Sequence, residues 1–274
     1  MKIKDHFLSQ EIFELKETET KGVWKTSPIP SNLSKYYESE DYISHHQDSG
    51  STKEKLYKFL QGFNLSYKKS ILSKSINSGQ NKKVLDYGCG AGEFVKYIEN
   101  DFITFGFEPN DDARNAAKQK TSKTTLVSNL DEIEDHSLDA ITLWHVFEHV
   151  ENQEEMLSIF YKKIKADGKL IIAVPNPTSH DAIYYKEFWA AYDVPRHVYH
   201  FSRNGMLKLM NNNPWKVEKV KPLLLDSFYI SMLSEKYKKS SLFWLKASLR
   251  GAISNIKASF SGEFSSLIYI IGKK

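Results

Sequence analysis

With 274 residues, 41% apolar and 13% aromatic, the chain is large enough to bury a sizeable core in one domain with appendages. Its one cysteine, Cys89, excludes a disulfide framework and a cysteine zinc site and fits a reducing cytoplasm. Net charge is +4, and neither a signal-type apolar run at Met1-Lys-Ile-Lys-Asp-His6 nor a span-length apolar stretch is present. The charge is uneven: residues 203–274 carry +9 and residues 1–202 carry −5, which marks either an anionic partner for the C-terminal part or a solvated basic face.

Residues 1–35 hold Phe7-Leu8, Ile12-Phe13 and Val23-Trp24 among charges, then Pro28-Ile-Pro30, the pattern of a small β-rich flap. A run dense in Tyr and His follows from Lys35 to His46, with no clean period, and 47–53 is polar and flexible in character. Leu56, Phe59, Leu60 and Phe63, then Tyr67, Ile71, Leu72 and Ile76, recur at helical spacing and predict two helices. Ser78-Gly-Gln-Asn81 is a turn leading to the stretch around which the chain is built.

That stretch is Lys83-Val-Leu-Asp-Tyr-Gly-Cys-Gly-Ala-Gly-Glu93: a buried strand, a tight turn and a helix start. The glycines at 88, 90 and 92 permit positive φ and close approach of a ligand to the main chain. A dinucleotide fingerprint needs a third small residue at 93, where Glu93 stands. Asp86 and Glu93 would repel a pyrophosphate and attract a ligand bearing a sulfonium and an ammonium. Phe105-Gly-Phe-Glu108 is a second short strand ending in an acid, placed to accept both hydroxyls of a ribose.

Val84-Leu-Asp-Tyr-Gly-Cys-Gly-Ala-Gly92 followed by Glu108 resembles motifs I and II of the class I S-adenosylmethionine-dependent methyltransferases. The resemblance covers residues 83–274 and implies a seven-stranded Rossmann-like sheet in the order 3-2-1-4-5-7-6, with the last strand antiparallel and helices on both faces. It implies S-adenosyl-L-methionine as cofactor, held by Asp86, Gly88, Gly90 and Glu108. Asn129 and Leu130 would read the adenine, through a side-chain amide and a main-chain N–H; an ordinary cap at Asn129 is the other reading. It also implies a Tyr-rich lid at 35–46 and an N-terminal knuckle whose usual cysteine positions correspond to Thr18 and Lys21, so a knuckle here carries no zinc.

A helix over 111–120 is capped by Asn110 or Asp111, and Leu126-Val127 is a third strand. Leu138-Asp-Ala-Ile-Thr-Leu-Trp144 is a fourth, running into His145-Val-Phe-Glu-His149. On a helical turn His145, Glu148 and His149 share one face. His149 then serves as general base beside Glu148, or the three bind a divalent metal as the similar turn of ubiquinone-pathway O-methyltransferases suggests, or the turn is structural with His145 beside the cofactor. We expect no required metal. A helix over 154–165, a turn at Asp167-Gly168 and a buried strand over 169–175 complete the alternation of a doubly wound parallel sheet.

After that strand comes Tyr192-Asp-Val-Pro-Arg-His-Val-Tyr-His-Phe201, where open sheets build substrate pockets. Arg196 is a candidate clamp for an anionic substrate group, and His197 and His200 are candidate bases. A buried aromatic cluster with satisfied histidines is the alternative. Ser202 caps a helix, Trp215–Val220 is a sixth strand and Ser266–Ile271 the last. The insertion at 221–264 carries Leu242, Leu245, Leu249, Ile253, Ile256 and Phe260 on one helix face and Lys246, Arg250 and Lys257 on another. A core-packed helix with a solvated basic face is the default. Cover over the substrate pocket, docking of a second subunit and peripheral contact with an anionic membrane near 242–260 are the alternatives.

The sequence thus predicts a flap and lid at 1–54 and a methyltransferase domain at 55–274, methylating a small-molecule acceptor, with O-methylation favoured and no nucleic acid bound. A non-catalytic cofactor-binding or membrane-associated accessory protein is the competing class, and turnover separates the two.

Overall fold

The computed structural model describes residues 1–37, 52–76 and 81–274. Most of the predicted lid, the polar stretch at 47–51 and residues 78–80 of the predicted turn lie outside them.

Three strands open the chain: β1 (Lys2–Lys4), β2 (Ile12–Glu17) and β3 (Val23–Ser27). Helix α1 (Thr52–Ser75) leads to β4 (Lys83–Tyr87), α2 (Glu93–Ile98), β5 (Ile103–Phe107), α3 (Asp111–Lys120) and β6 (Thr125–Val127). Then come β7 (Leu138–Trp144), α4 (Gln153–Lys163), β8 (Ile164–Pro175), α5 (His180–Tyr185), β9 (Tyr199–Phe201) and α6 (Arg203–Asn212). The chain ends with β10 (Trp215–Pro222), α7 (Asp226–Tyr237), α8 (Phe243–Ser261) and β11 (Ser266–Lys273).

The large sheet has the order β10-β11-β8-β7-β4-β5-β6. Its five central and edge strands β4 to β8 run parallel, and β11 is antiparallel to both β8 and β10. This is the expected 3-2-1-4-5-7-6 arrangement. Alternation assigns the two faces. Leu85, Ile141, Leu143, Leu170 and Ile172 pack against Phe160 of α4 on one side. Val84, Ala140, Ile171 and Ala173 pack against Leu72 of α1 and Phe94 and Ile98 of α2 on the other. Burial on both faces is why these strands read as unbroken apolar runs. Helix starts follow their caps: the Asn110 side chain accepts from Ala113 N at 2.9 Å, and the Ser202 hydroxyl accepts from Gly205 N at 3.0 Å.

Four expectations change. The two helices before the first core strand are one, α1, because nothing between Phe63 and Tyr67 breaks the helical period. The turn at Asp167-Gly168 lies within β8, which begins at Ile164; a register shift opposite Leu138 and Ala140 takes up the extra residues. The insertion forms two helices, α7 and α8, packed as a hairpin. The default reading of α8 is inverted: its buried residues are Ala247, Gly251, Ser254 and Ala258, and its large apolar residues face outward.

The flap is a four-stranded sheet, β1-β2-β3-β9, whose last strand comes from the loop after β8. Flap and loop therefore fold as one unit. The knuckle positions are held by hydrogen bonds: Thr18 N and Oγ1 donate to the Val23 carbonyl, and Gly22 N donates to Glu17.

Candidate active site

The sheet order reverses between β4 and β7, so their carboxyl ends open a crevice. At the end of β4 the three glycines have φ of +74° (Gly88), +53° (Gly90) and +81° (Gly92). A Cβ on Gly88 would sit 2.5 Å from the Val146 side chain, which explains glycine there; beside Gly90 there is open space. Gly90 N donates to Glu108 Oε2 at 2.9 Å and Asn110 N to Oε1 at 3.0 Å. Asp86 lies buried below the turn and accepts from the Thr142 hydroxyl at 2.6 Å. Burial pushes its carboxyl up to about 7, against the Thr142 bond and Lys68, while Glu108 adds to the rise. A bare glycine backbone facing open space, with two carboxylates beside it, fits a cationic nucleoside such as S-adenosylmethionine.

Asn129 starts a short 3-10 turn at Leu130–Glu132, and its side-chain oxygen accepts from Asp131 N at 2.8 Å. The cap reading left open by the sequence is thus present, and any contact of Asn129 to adenine would run through its amide nitrogen. Leu130 follows directly in the same turn.

His145 closes β7 with φ +58°, and a 3-10 turn at Phe147–His149 follows. The expected helical face of His145, Glu148 and His149 does not form, because His145 stands in the left-handed region before a 3-10 turn; His145 still meets Glu148 but does not join His149. Its Nε2 lies 2.9 Å from Asp226 at the start of α7, and its Nδ1 lies 3.4 Å from Glu148 Oε1. Burial opposes its charge, yet Asp226 and then Glu148 outweigh it and raise its pKa to about 10, so His145 is an imidazolium at neutral pH.

Glu148 is 1% exposed, and neither carboxylate oxygen has a hydrogen-bond partner. Burial would raise its pKa, but His145 and the nearby His197 hold it below the ordinary value. His149 Nδ1 lies 2.8 Å from the Arg196 carbonyl and 3.0 Å from the Tyr37 hydroxyl. His197 Nδ1 lies 3.0 Å from the Ala191 carbonyl. A carbonyl only accepts, so both rings carry a proton on Nδ1, and His197, held neutral by burial, keeps a lone pair on Nε2. His197 Nε2 lies 4.0 Å from Glu148 and 3.9 Å from Asp193. Burial, then His149, pushes His197 down to about 4. One ligand atom each from Glu148, His149 and His197 falls within 4.8 Å of the others, so among the described residues these three, rather than the set with His145, could hold a divalent ion.

Arg196 and His200 do not face this space. Arg196 is 2% exposed and donates to both Asp193 oxygens, at 2.9 and 2.5 Å, and to the Tyr36 carbonyl at 2.9 Å. Its guanidinium also lies 4.5 Å over Phe7. The fork expected to clamp a substrate instead ties the loop to the flap. His200 sits in β9; its Nε2 meets Thr26 Oγ1 at 3.0 Å, and that hydroxyl donates to the His197 carbonyl at 2.6 Å. Burial, then His197, drops it to about 3. It is a satisfied core histidine, the alternative the sequence offered for this cluster.

Three residues escaped the sequence reading. Asp226 follows Leu223-Leu-Leu225 and looks like any acid in a first helical turn. Tyr37 was one tyrosine among several. Lys68 lies 4.8 Å over the Trp144 ring, close enough to temper Asp86 and Asp226, and carried no motif.

The chain matches the family described as methyltransferase domain over residues 60–220. A curated protein of Methanocaldococcus jannaschii, itself uncharacterized, is 26% identical over 250 residues, which is 85% of this chain and 94% of that protein. Among solved structures, a mycolic acid cyclopropane synthase complexed with S-adenosylhomocysteine is similar in fold, with a TM-score of 0.52 at 14% identity over 76% of this chain and 83% of that one. So is the geranyl diphosphate C-methyltransferase of Streptomyces coelicolor A3(2), with a TM-score of 0.52 at 13% identity over 76% of each chain.

Proposed function

The chain belongs to the methyltransferase-domain family and is an S-adenosylmethionine-dependent methyltransferase; we propose that its acceptor is a hydroxyl on a small molecule. One observation carries this reading: Glu148 is a buried, ionised carboxylate that faces the His145 imidazolium on one side and, at 4.0 Å, the neutral His197 Nε2 on the other. A buried anion beside a neutral imidazole favours the imidazolium that would form if His197 took a proton from an acceptor hydroxyl.

When bound, the cofactor supplies an electrophilic methyl group on a sulfonium. The chain's part is to hold and orient. Asp86, Gly88, Gly90, Glu108, Asn129 and Leu130 form the cofactor half, with Glu108 exchanging its bonds to backbone amides for ribose hydroxyls. His145, cationic through Asp226 and Glu148, complements the carboxylate of the cofactor's amino-acid part. On the acceptor half His197 Nε2 takes the hydroxyl proton, and the carboxylates of Glu148 and Asp193 stabilise the imidazolium that results. His149 shares that wall, and the flap closes it through Tyr37. The lone cysteine fits work in the cytoplasm.

His197→Ala is expected to lower kcat by ~10²–10⁴ with cofactor affinity unchanged. The base must be deprotonated, so the acid limb that His197 contributes to wild-type turnover is expected near pH 4. Near-normal turnover in the variant removes His197 from proton transfer.

A further inference from the structure

We propose that the α7–α8 hairpin is a docking surface for an anionic lipid bilayer. Helix α8 is built with its small residues inward. Gly251 lies so close to α7 that a Cβ would come within 2.7 Å of the Phe228 ring, and the Ser254 hydroxyl donates to Asp181 at 2.7 Å. On the opposite side Leu245, Leu249 and Ile256 are each more than half exposed, and Phe260 is 89% exposed. These positions recur at 4, 7 and 4 residues, one stripe along the helix. A soluble helix normally turns that stripe to the core. Here the core side is already filled, so the stripe is free for something else. Phe228 and Tyr229, in the first turn of α7, are exposed as well.

The charges around the stripe identify what covers it. Lys246 and Lys257 flank it on α8, and Lys236, Lys238 and Lys239 end α7, all exposed. The two acids of the hairpin are engaged elsewhere: Asp226 pairs with His145, and Glu235 is buried, accepting from the Tyr185 hydroxyl at 3.1 Å. A second copy docked by two-fold symmetry would set this cationic rim against itself, with no acid of the hairpin to meet it. A bilayer with anionic headgroups satisfies both parts at once, taking the apolar stripe at the acyl boundary and the lysines among the headgroups. Among the described residues no helix is long and apolar enough to cross a membrane, so the contact is one of lying on the surface. It does not depend on the identity of the methyl acceptor.

The test is co-sedimentation of the full chain with vesicles of phosphatidylcholine alone and of phosphatidylcholine doped with phosphatidylglycerol. Wild type is expected to partition at least about tenfold better onto the doped vesicles, with the gain lost at high salt. The Lys246→Glu/Lys257→Glu variant should lose about fivefold per lysine removed, and Leu249→Ser/Ile256→Ser/Phe260→Ser roughly 100-fold. All five positions are exposed, and calorimetry with S-adenosylmethionine checks that each variant remains folded. Equal partitioning onto both vesicle types, or an unchanged triple variant, overturns the proposal. So does a dimer in sedimentation equilibrium that the triple variant dissolves while wild type ignores vesicles, which would make the stripe a contact between copies.

Discussion

Replacing Asp226 with Asn tests whether the charge on His145 is built into the fold. Asp226 Oδ2 lies 2.9 Å from His145 Nε2, and the ring's pKa rises from 6.5 to about 10. At 1.36 kcal/mol per unit the whole shift corresponds to an upper limit of ~5 kcal/mol. Glu148 shares in that rise, and a third of the His145 side chain is exposed, where water screens the pair. About 2 kcal/mol is therefore expected for Asp226 alone. The sign follows from linkage: a pKa raised in the folded state gives stability that is complete below the unfolded value near 6.5 and is lost as pH rises through about 10. Urea denaturation of wild type and Asp226→Asn should differ by ~2 kcal/mol near pH 6, with the gap closing above pH ~10. A gap of the same size at both ends would mean that Asn disturbs packing and that the ion pair contributes little.

Glu108→Ala should weaken S-adenosylmethionine binding by about 1–3 kcal/mol in calorimetry, through lost ribose bonds and a loosened Gly90 turn; unchanged affinity removes Glu108 from the site. His200→Ala should cost ~2–4 kcal/mol of stability by opening a cavity beside Thr26, yet leave kcat intact at temperatures where the variant is folded. Dialysis against a chelator should leave turnover unchanged; loss of activity that magnesium or zinc restores would assign Glu148, His149 and His197 to a metal.

The sheet was legible because its strands are short apolar runs with punctuation beside them: Lys82-Lys83 before β4, the glycines after it, Asn176-Pro177 after β8. Buried parallel strands admit few other readings. The joining of the glycine turn to Glu108 was legible for a related reason, since the turn and an acid sixteen residues on are local in sequence. The acceptor half was not. His145 and His149 were placed on one helical face by spacing alone, and a single left-handed residue at His145 broke that geometry. Arg196 and His200 have the composition of a reactive site, but their partners, Tyr36, Thr26 and Phe7, lie 160 or more residues away in the flap. No period links such positions. The same limit hid the facing of α8, where the apolar stripe was read correctly and its direction was set by the close approach of Gly251 to Phe228.

Glu148 joins the two halves. Through His145 and Asp226 it is tied to the end of β7, where the cofactor half begins; through His197 and Asp193 it is tied to the flap-bound loop. Its charge is balanced on the first side by an imidazolium, so the second side can keep His197 neutral without leaving a carboxylate wholly uncompensated. Were His145 neutral, burial would drive Glu148 toward protonation and the acceptor wall would lose its anion. Asp226, remote in sequence from every motif, therefore acts on the acceptor half as well as on the fold, and Asp226→Asn should depress turnover more than it depresses cofactor affinity if Glu148 is the group the acceptor meets.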